Sequence, residues 1–227
     1  MFGTIFAIII SVGLPIFAFL YAWKKKRYIP FLLGVLAFVV SQMLLRLPLL
    51  EFLQKNSTDF IFFSMTQPIL FAILLGLSAG IFEETARFIA MRYIMKQRDW
   101  MSGFLFGTGH GGIEAVIFVG IPALQYVFSP FAIALGDQFL IGGIERFFAI
   151  ILHVGLSIIV LQAVVHKKVF YLLVAIIIHT FVNASVGILP LFIRGNESVI
   201  VLEIVIAVVA LAVLLYTLWI KRKGVLQ

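Results

Sequence analysis

Four apolar stretches of the sequence carry ionisable or amide side chains of the kinds that can activate water. They are Glu83-Glu84-x-x-Arg87, His110-x-x-x-Glu114, His153, and His179-x-x-x-Asn183. Two residues separated by four lie on one helix face, one turn apart. A glutamate can take a proton from water, a histidine can orient that water or bind a metal, and a His and Asn pair can donate hydrogen bonds to an oxyanion. Together these groups are suited to hydrolysing an amide bond.

The adjacent glutamates cannot both point at the same reacting atom, because neighbouring side chains on a helix point about 100° apart. One of Glu83 and Glu84 can therefore be the reacting group while the other orients a partner or pairs with Arg87. The sequence leaves open which is which. A purely structural ion pair, hidden from lipid, is the alternative interpretation of this motif.

A metal site is a second use for the same side chains. His110, His153, His179 and Glu83 could form a tetrahedral zinc site with one open position, at which water would be activated. The chain lacks the zinc signature His-Glu-x-x-His, so the sequence allows zinc without requiring it.

Composition places these groups in a membrane. The chain has 227 residues, of which 63% are hydrophobic and 12% charged, with a mean hydropathy of +1.18. Soluble domains carry about 25% charged residues, so a soluble fold is excluded. We predict an all-α polytopic membrane helix bundle that forms one integral membrane domain over residues 1–227, with its polar core within 80–185. The chain has no cysteine, which excludes a thiol nucleophile and thiolate metal ligands.

Seven apolar runs are each close to the 20 or so residues that a spanning helix needs. They cover residues 2–22, 29–50, 68–91, 101–124, 146–165, 169–192 and 198–220. No cleavage site follows the first run, which predicts a retained anchor rather than a removed signal peptide. The segment 123–144 directly follows Pro122 and contains Pro130, Gly136 and Gly142. It predicts an external loop that dips back toward the membrane.

The basic residues are divided unequally between the two sides of such a bundle. Twelve flank the runs on one side, in four groups at 24–27, 92–98, 167–168 and 221–223. The opposite loops hold four, which are Arg46, Lys55, Arg146 and Arg194. Basic residues stay cytoplasmic, so we predict an external N-terminus and a cytoplasmic C-terminus. The net charge of +7 serves topology in a bacterial cytoplasmic membrane, so we expect the lipid bilayer and no nucleic acid as partner.

Helical rise places the ionisable groups at a common depth. At 1.5 Å per residue, His110, His179 and Glu83 lie roughly 14 to 15 Å from the cytoplasmic ends of their helices. His153 lies roughly 11 Å from the outer end of its own helix. Four helices therefore bring charged or titratable groups toward mid-membrane, where each is costly unless it is paired or hydrated.

The glycines around His110 have two interpretations, which the sequence leaves open. Gly107, Gly109, Gly111 and Gly112 could let two helices approach closely, the commoner use of small residues in membranes. They could also give a substrate backbone access to the histidine. Both interpretations can hold together.

The ordered motifs resemble those of a known group of membrane proteases. Glu83-Glu84-x-x-Arg87, Phe106-x-x-x-His110 and His179-x-x-x-Asn183 are similar to the motif set of the CAAX protease and bacteriocin-processing (Abi) proteases. The match is greatest to the YhfC branch of intramembrane metalloproteases, which is related also to the PrsW-type proteases. The arginine of the CAAX-type motif usually stands one position later than Arg87, so a prenylated substrate is not implied.

The resemblance implies an intramembrane peptidase whose substrate is a membrane-associated protein or peptide. It implies that Glu83 or Glu84 is the base and that His110 holds the water or a Zn²⁺ ion. His179 and Asn183 would then stabilise the oxyanion. Glu114 is similar to a glutamate of the PrsW pattern, whereas His153 has no counterpart in the three-motif set. Arg87, Glu114 and His153 are expected to support the catalytic groups.

Two other functions fit parts of the same pattern. A proton- or ion-coupled transporter would also use buried Glu, Arg and His, but such transporters commonly contain a two-fold repeat that this sequence lacks. A retinal protein would need a lysine inside its seventh helix, where only Lys221 and Lys223 occur, at the end. The peptidase is the leading hypothesis, with the transporter as the alternative.

Overall fold

The computed structural model describes residues 1–128 and 136–226, with side chains in the second range from residue 139 onward. These residues form eight helices and no strand. In chain order they are α1 Phe2–Lys24, α2 Tyr28–Asn56, α3 Thr58–Thr66, α4 Pro68–Ile94, α5 Trp100–Val127, α6 Gly136–His166, α7 Val169–Phe192 and α8 Asn196–Arg222. All but α3 are long and apolar enough to cross a membrane. The prediction of an all-α bundle with seven spans is confirmed.

Helix starts follow local sequence signals, and six of the seven predicted runs begin within two residues of a helix. Pro68 occupies the first turn of α4, where its missing N–H costs no hydrogen bond. The carboxylate of Asp99 caps α5 by accepting a hydrogen bond from the Ser102 backbone N–H at 2.8 Å. Ser57 caps α3 in the same way, through the N–H of Phe60.

The predicted external loop over 123–144 is wrong at both ends. Helix α5 continues through Val127, because Pro122 falls in the first turn after a π-helical segment and removes no needed donor. Helix α6 begins at Gly136 rather than 146, since the apolar periodicity of the fifth run extends backward through Phe139. Residues 129–135, in the middle of the predicted loop, lie outside the described residues.

Four of the long helices contain a π-helical segment. These are Ile9–Gly13 in α1, Val39–Arg46 in α2, Ala90–Ile94 in α4 and Val116–Gly120 in α5. A π turn inserts extra residues and so rotates the side chains that follow it around the helix axis. The segment in α2 contains Gln42, which the rotation helps to aim at the centre of the bundle.

Helix α6 is the central element, with α1, α4, α5, α7 and α8 packed around it. Around this centre, α4 packs along α7 and α2 packs along α5. Glycines permit the α4 and α7 backbones to approach closely: a Cβ at Gly76 or Gly80 would lie only 2.7 or 2.9 Å from a carbonyl oxygen of α7. Close packing holds the polar residues of these helices in fixed positions.

One end of the bundle is joined by contacts between the connections of several helices. Arg27, in the turn between α1 and α2, pairs with Asp99 at 2.6 Å. Trp100 donates its backbone N–H to the carbonyl of Leu226 and its indole N–H to the carbonyl of Thr217. Lys221 lies 4.2 Å from the Trp100 ring centroid. These contacts place the 25–27 turn, the 95–99 connection and the C-terminal segment at one end.

Candidate functional site

Helices α4, α5, α6 and α7 bring the predicted polar residues into one buried cluster. Glu84, Arg87 and His110 have no exposed surface, and Glu83, His153 and His179 are 4 to 5% exposed. Ionisable groups buried at this level must be paired, because each loses its hydration. The contacts between them therefore define the cluster.

Glu83 is the most connected of these groups. Its Oε2 accepts a hydrogen bond from His110 Nε2 at 2.8 Å, and its Oε1 accepts one from the amide Nε2 of Gln42. His179 Nε2 lies 3.6 Å from Oε1, and Arg87 Nη2 lies 3.9 Å from Oε2. A single carboxylate thus contacts groups from α2, α5 and α7 as well as its own helix.

Glu84 has a different role in the geometry. Its Oε1 accepts a hydrogen bond from His179 Nδ1 at 2.6 Å, while Arg87 Nη1 lies 3.6 Å from its Oε2. A carboxylate bound to one ring nitrogen of a histidine fixes the ring's orientation and tautomer. Glu84 therefore leaves Nε2 of His179 directed toward Glu83, and the adjacent glutamates contact different sides of the same imidazole.

His153 is held from two directions. Arg87 donates to its carbonyl oxygen at 3.2 Å and to its Nδ1 at 2.9 Å. Since a guanidinium can only donate, Nδ1 must be the acceptor, and the ring proton of neutral His153 is on Nε2. Nε2 lies 2.5 Å from Oε2 of Glu114, whose Oε1 accepts a hydrogen bond from Arg146 at 2.8 Å. This chain of contacts runs from α4 through α6 to α5.

A cavity of about 200 Å³ opens onto the cluster. Its charged or polar lining side chains are Gln42, Arg46, Glu83, Glu114, Glu145, Arg146, His153, His179 and Asn183. The remaining wall is apolar, with Phe38 and Leu152 among its residues. Of the two adjacent glutamates, Glu83 lines the cavity and Glu84 lies behind it. His110 and Arg87 also lie behind the cavity wall, within contact of Glu83.

Four side chains of this site were missed by the sequence reasoning. Gln42 contacts Glu83, Arg46 donates to Gln42 Oε1 at 3.1 Å, and Arg146 pairs with Glu114 and with Glu145. A glutamine inside an apolar run was an available signal, since amides are costly in a membrane. Arg146 precedes His153 by seven residues, which places both on one face of α6 two turns apart.

The placement of Arg46 and Arg146 in external loops was wrong. Arg46 is inside α2 and also donates to Ser78 Oγ and to the carbonyl of Leu75, both at 2.9 Å. The Arg146 side chain is only 11% exposed within α6. Both guanidiniums point to polar partners inside the bundle. These hydrogen bonds stabilise a charge that lipid could not solvate.

The glycines near His110 serve helix packing. A Cβ at Gly109 would lie 2.1 Å from the carbonyl oxygen of Phe31 in α2, and one at Gly107 would lie 2.4 Å from Cα of Val154 in α6. Gly111 and Gly112 likewise face His153 and Pro15. None of the four lines the cavity. Their small size therefore brings α1, α2 and α6 against α5.

The donor set at the centre fits a metal ion. Glu83, His110 and His153 each offer one ligand atom, and these atoms lie within 4.8 Å of one another. Two imidazole nitrogens and a carboxylate oxygen are a combination that zinc favours. Nδ1 of His110 is buried without a hydrogen-bond partner among the described residues, as an uncommitted donor atom would be. His179, the other predicted ligand, lies outside this closest group but contacts Glu83.

Fold and site together define an integral membrane protein with a buried carboxylate and imidazole centre. The chain belongs to the family described as YhfC intramembrane metalloprotease, which it matches over residues 10–139 and 134–210. It is similar to the Bacillus subtilis (strain 168) protein named "Uncharacterized membrane protein YhfC", at 32% identity over 97% of this chain and 94% of that protein. No solved structure matches it.

Proposed function

We propose that this protein is an intramembrane peptidase that hydrolyses a peptide bond in a membrane-associated protein or peptide. The observation that carries the proposal is Glu83, a buried carboxylate that faces a cavity inside a membrane bundle and contacts His110 and His179. Membership in a family described as intramembrane metalloproteases supports it. Water and a peptide carbonyl could both enter a cavity of this size.

Glu83 is the general base in this proposal. It takes a proton from a water molecule in the cavity while the water oxygen attacks the peptide carbonyl carbon. The C–N bond then breaks, and the same carboxylic acid gives its proton to the leaving nitrogen. The products are a carboxylic acid and an amine, which exchange a proton to become a carboxylate and an ammonium group, and Glu83 returns to its ionised form. Its place on the cavity wall favours it over Glu84 for this role.

His179 and Asn183 supply the groups that stabilise the tetrahedral oxyanion. Both line the cavity, one turn apart on α7. Because the Nδ1–H of His179 is bound to Glu84, its Nε2 donates to the developing negative charge only when the ring carries a proton on both nitrogens, whereas the amide of Asn183 donates in its ordinary form. Glu84 keeps His179 in position through the 2.6 Å contact at Nδ1. In this mechanism Glu84 is a positioning residue, since its carboxylate does not line the cavity.

Arg87, His153 and Glu114 maintain the charge balance around the base. Arg87 lies within 4 Å of both adjacent glutamates and donates to His153, so one cation compensates two carboxylates. Glu114 holds the other ring nitrogen of His153. An unpaired charge at this depth would be strongly destabilising, and the network allows Glu83 to be ionised before a substrate arrives.

Glu83, His110 and His153 would hold a zinc ion. When bound, it would supply Lewis-acid polarisation of water or of the peptide carbonyl. His153 would give up one of its two ring-nitrogen contacts, with Arg87 or with Glu114, to bind the ion, and the other would fix its ring, while Gln42 would orient the carboxylate of Glu83. These partner contacts are the kind that direct ligands toward a metal.

The decisive experiment compares membrane proteins in cells that express the wild type or Glu83→Gln. Mass spectrometry of new protein termini should detect cleavage within or beside membrane segments in the wild type. We expect Glu83→Gln to abolish these termini, and Glu84→Gln to reduce them about 10- to 100-fold, because the amide can still accept from His179. Glu51→Gln is the matched control, since Glu51 is exposed on α2 and pairs with the exposed Lys55.

Two outcomes of this comparison would contradict the proposal. The first is an identical set of termini with the wild type and Glu83→Gln. The second is loss of ion-coupled uptake in proteoliposomes of Glu83→Gln without any proteolysis, which would establish the transporter alternative. A reversed order of severity between the two glutamate variants would instead exchange the roles of Glu83 and Glu84.

Metal content is tested separately on purified protein. Elemental analysis of the wild type should find about one zinc per chain, and His110→Ala should lose most of it, since that variant removes one of three donors. His166→Ala is the control, as His166 ends α6 outside the polar cluster. Wild-type protein without zinc, and with proteolysis that resists chelators, would refute the metalloenzyme form of the proposal.

A further inference from the structure

The joined end of the bundle contains a basic pocket that the proposed chemistry does not use. It has a volume of about 260 Å³ and lies between the turn that connects α1 to α2 and the segment that follows α4. Lys26, Arg27 and Lys96 line it, together with an apolar floor that includes Pro30 and Met95. Arg27 is already neutralised by Asp99, whereas neither Lys26 nor Lys96 has an ion-pair partner among the described residues, so the lysines supply two positive charges.

Lys26 occupies a backbone position that ordinarily favours glycine. Its φ angle is +55°, in the left-handed region that residues with a Cβ rarely adopt. The turn is closed by hydrogen bonds from the N–H of Lys26 to the Trp23 carbonyl and from the N–H of Arg27 to the Ala22 carbonyl. A lysine at this position must adopt a backbone conformation that is less favourable for it than for glycine, and its charge lies at the pocket.

The basic pocket adjoins a larger apolar groove, with which it shares the lining residue Ile94. This groove has a volume of about 560 Å³ and runs between α2 and α4 along the outer surface of the bundle. The groove wall is almost entirely apolar, with Leu36, Val40 and Ile89 among its exposed residues. A site with a basic end and a long apolar channel matches a molecule that has an anionic head and a hydrocarbon chain.

We propose that this site binds an anionic glycerophospholipid. Its phosphate would lie between Lys26 and Lys96, and one acyl chain would lie in the groove between α2 and α4. Basic pockets between membrane helices bind anionic head groups by this combination of charge and apolar contact. Lys24 and Lys25 belong to the same turn but do not line the pocket, so general attraction of the turn to the membrane does not account for the placement of Lys26.

Lipid binding is measured by native mass spectrometry of the detergent-purified protein with added phosphatidylglycerol or phosphatidylcholine of the same acyl chains. We expect tighter binding of phosphatidylglycerol. The double variant Lys26→Gly, Lys96→Gln should weaken it about 30-fold, which corresponds to about 2 kcal/mol for two lysines near an anionic surface. Glycine suits the left-handed turn, so this variant retains the local fold. Val40→Trp should also weaken binding, by filling the groove.

The matched control is Lys24→Gln, Lys25→Gln, which removes the same charge from the same turn but outside the pocket. It should change phosphatidylglycerol binding less than threefold, within the usual spread of single-charge effects at exposed positions. Equal binding of the two lipids, or equal weakening in both double variants, would overturn the proposal. Displacement of phosphatidylglycerol by inorganic phosphate would assign the pocket to a soluble anion, and displacement by an uncharged apolar helical peptide would assign the groove to a protein segment.

Discussion

The orientation of one carboxylate determines what the buried cluster can do. Glu83 has four neighbours, which together constrain both of its carboxylate oxygens. His110 donates to Oε2, and Gln42 and His179 face Oε1. Arg87 balances its charge. Because hydrogen bonds in a dry site fix a group's direction as well as its charge, the carboxylate is held in place before any substrate binds.

Gln42 is the partner of Glu83 whose removal is most informative. Replacing it by leucine deletes the hydrogen bond to Oε1 and leaves Arg46 without the Gln42 acceptor, while volume and helix propensity change little. We expect kcat for a cleaved membrane substrate to fall about 10- to 100-fold with KM nearly unchanged, since positioning of the reacting group is lost rather than substrate contact.

The control for this variant is Gln162→Leu. Gln162 is also buried, accepts a hydrogen bond from Tyr216 at 3.0 Å, and lies outside the polar cluster. It should lower the thermal unfolding midpoint without changing kcat. If Gln42→Leu also lowers only the midpoint and retains full kcat, Gln42 contributes stability and does not position Glu83.

Among the helices, α5 positions His110 by means of nearby glycines, whose lack of a side chain lets neighbouring helices pack closely against it. Gly107 and Gly109 face α6 and α2, and His110 directly follows Gly109 on a third face. Adding a methyl group at either glycine would require two backbones to move apart. Such overpacking typically costs about 1 to 3 kcal/mol.

We therefore expect Gly107→Ala and Gly109→Ala to destabilise the protein and to displace His110. Thermal unfolding in detergent should show lower midpoints for both, with reduced proteolysis. Gly142→Ala is the matched control, because its Cβ would find only Val119 methyl groups at 3.6 and 3.7 Å, an ordinary contact distance. It should be neutral or slightly stabilising, by up to about 1 kcal/mol, since alanine favours the helix. Equal midpoints for all three variants would refute this packing role.

The carboxylate of Asp99 at the start of α5 makes a pH-dependent contribution to the stability of the bundle. Partial burial disfavours the charge of Asp99, but hydrogen bonds from Ser102 and the Arg27 contact outweigh it and hold its pKa below the ordinary value of 3.8. A lowered pKa in the folded state means that the carboxylate adds stability above pH 3.8, and that this stability is lost as pH falls through the folded pKa.

Asp99→Asn keeps a capping side chain and removes the charge. We expect it to lower stability at pH 7 by about 0.5 to 1 kcal/mol, and we expect the difference from the wild type to disappear in strong acid. Unfolding midpoints measured from neutral to acidic pH test this. A difference that stays constant down to the lowest pH would show that the charge of Asp99 does not stabilise the fold.

The elements differ in how far the sequence could predict them. Apolar length determined the spans, so the starts of α4 and α7 were predicted to the residue. Polar spacing also identified the residues that meet at the centre. Neither pattern reports the direction of a side chain within a π-helical segment, so the amide of Gln42 was visible in its apolar run but its contact with Glu83 was not predictable. The roles of Arg46 and Arg146 were not predicted for a related reason. A basic residue near the end of an apolar run gives the same sequence pattern whether it lies in a loop or pairs with groups inside the bundle.

The described residues form seven helices that could span a membrane, and this odd number predicts that α1 begins and α8 ends on opposite sides of the bilayer. The turn at 25–27, the connection at 95–99 and the C-terminal segment are together at one end, through the pair of Arg27 with Asp99 and the contacts of Trp100. Arg46 and Arg146 form hydrogen bonds inside the bundle, so they do not count as loop residues. Without them, the difference in the number of basic residues between the two ends is larger. The basic end is therefore predicted to be cytoplasmic.

Because the chain has no cysteine, single cysteines can report this orientation without any background substitution. In intact cells, a membrane-impermeant maleimide should label Asn56→Cys and leave Lys25→Cys and Lys223→Cys unlabelled. Permeabilised cells should show all three labelled, because each position is exposed at a helix end. Labelling of Lys25→Cys and Lys223→Cys but not of Asn56→Cys in intact cells would reverse the predicted orientation. The basic lipid pocket would then face the outer leaflet, away from the anionic lipid of the cytoplasmic leaflet that we propose it binds.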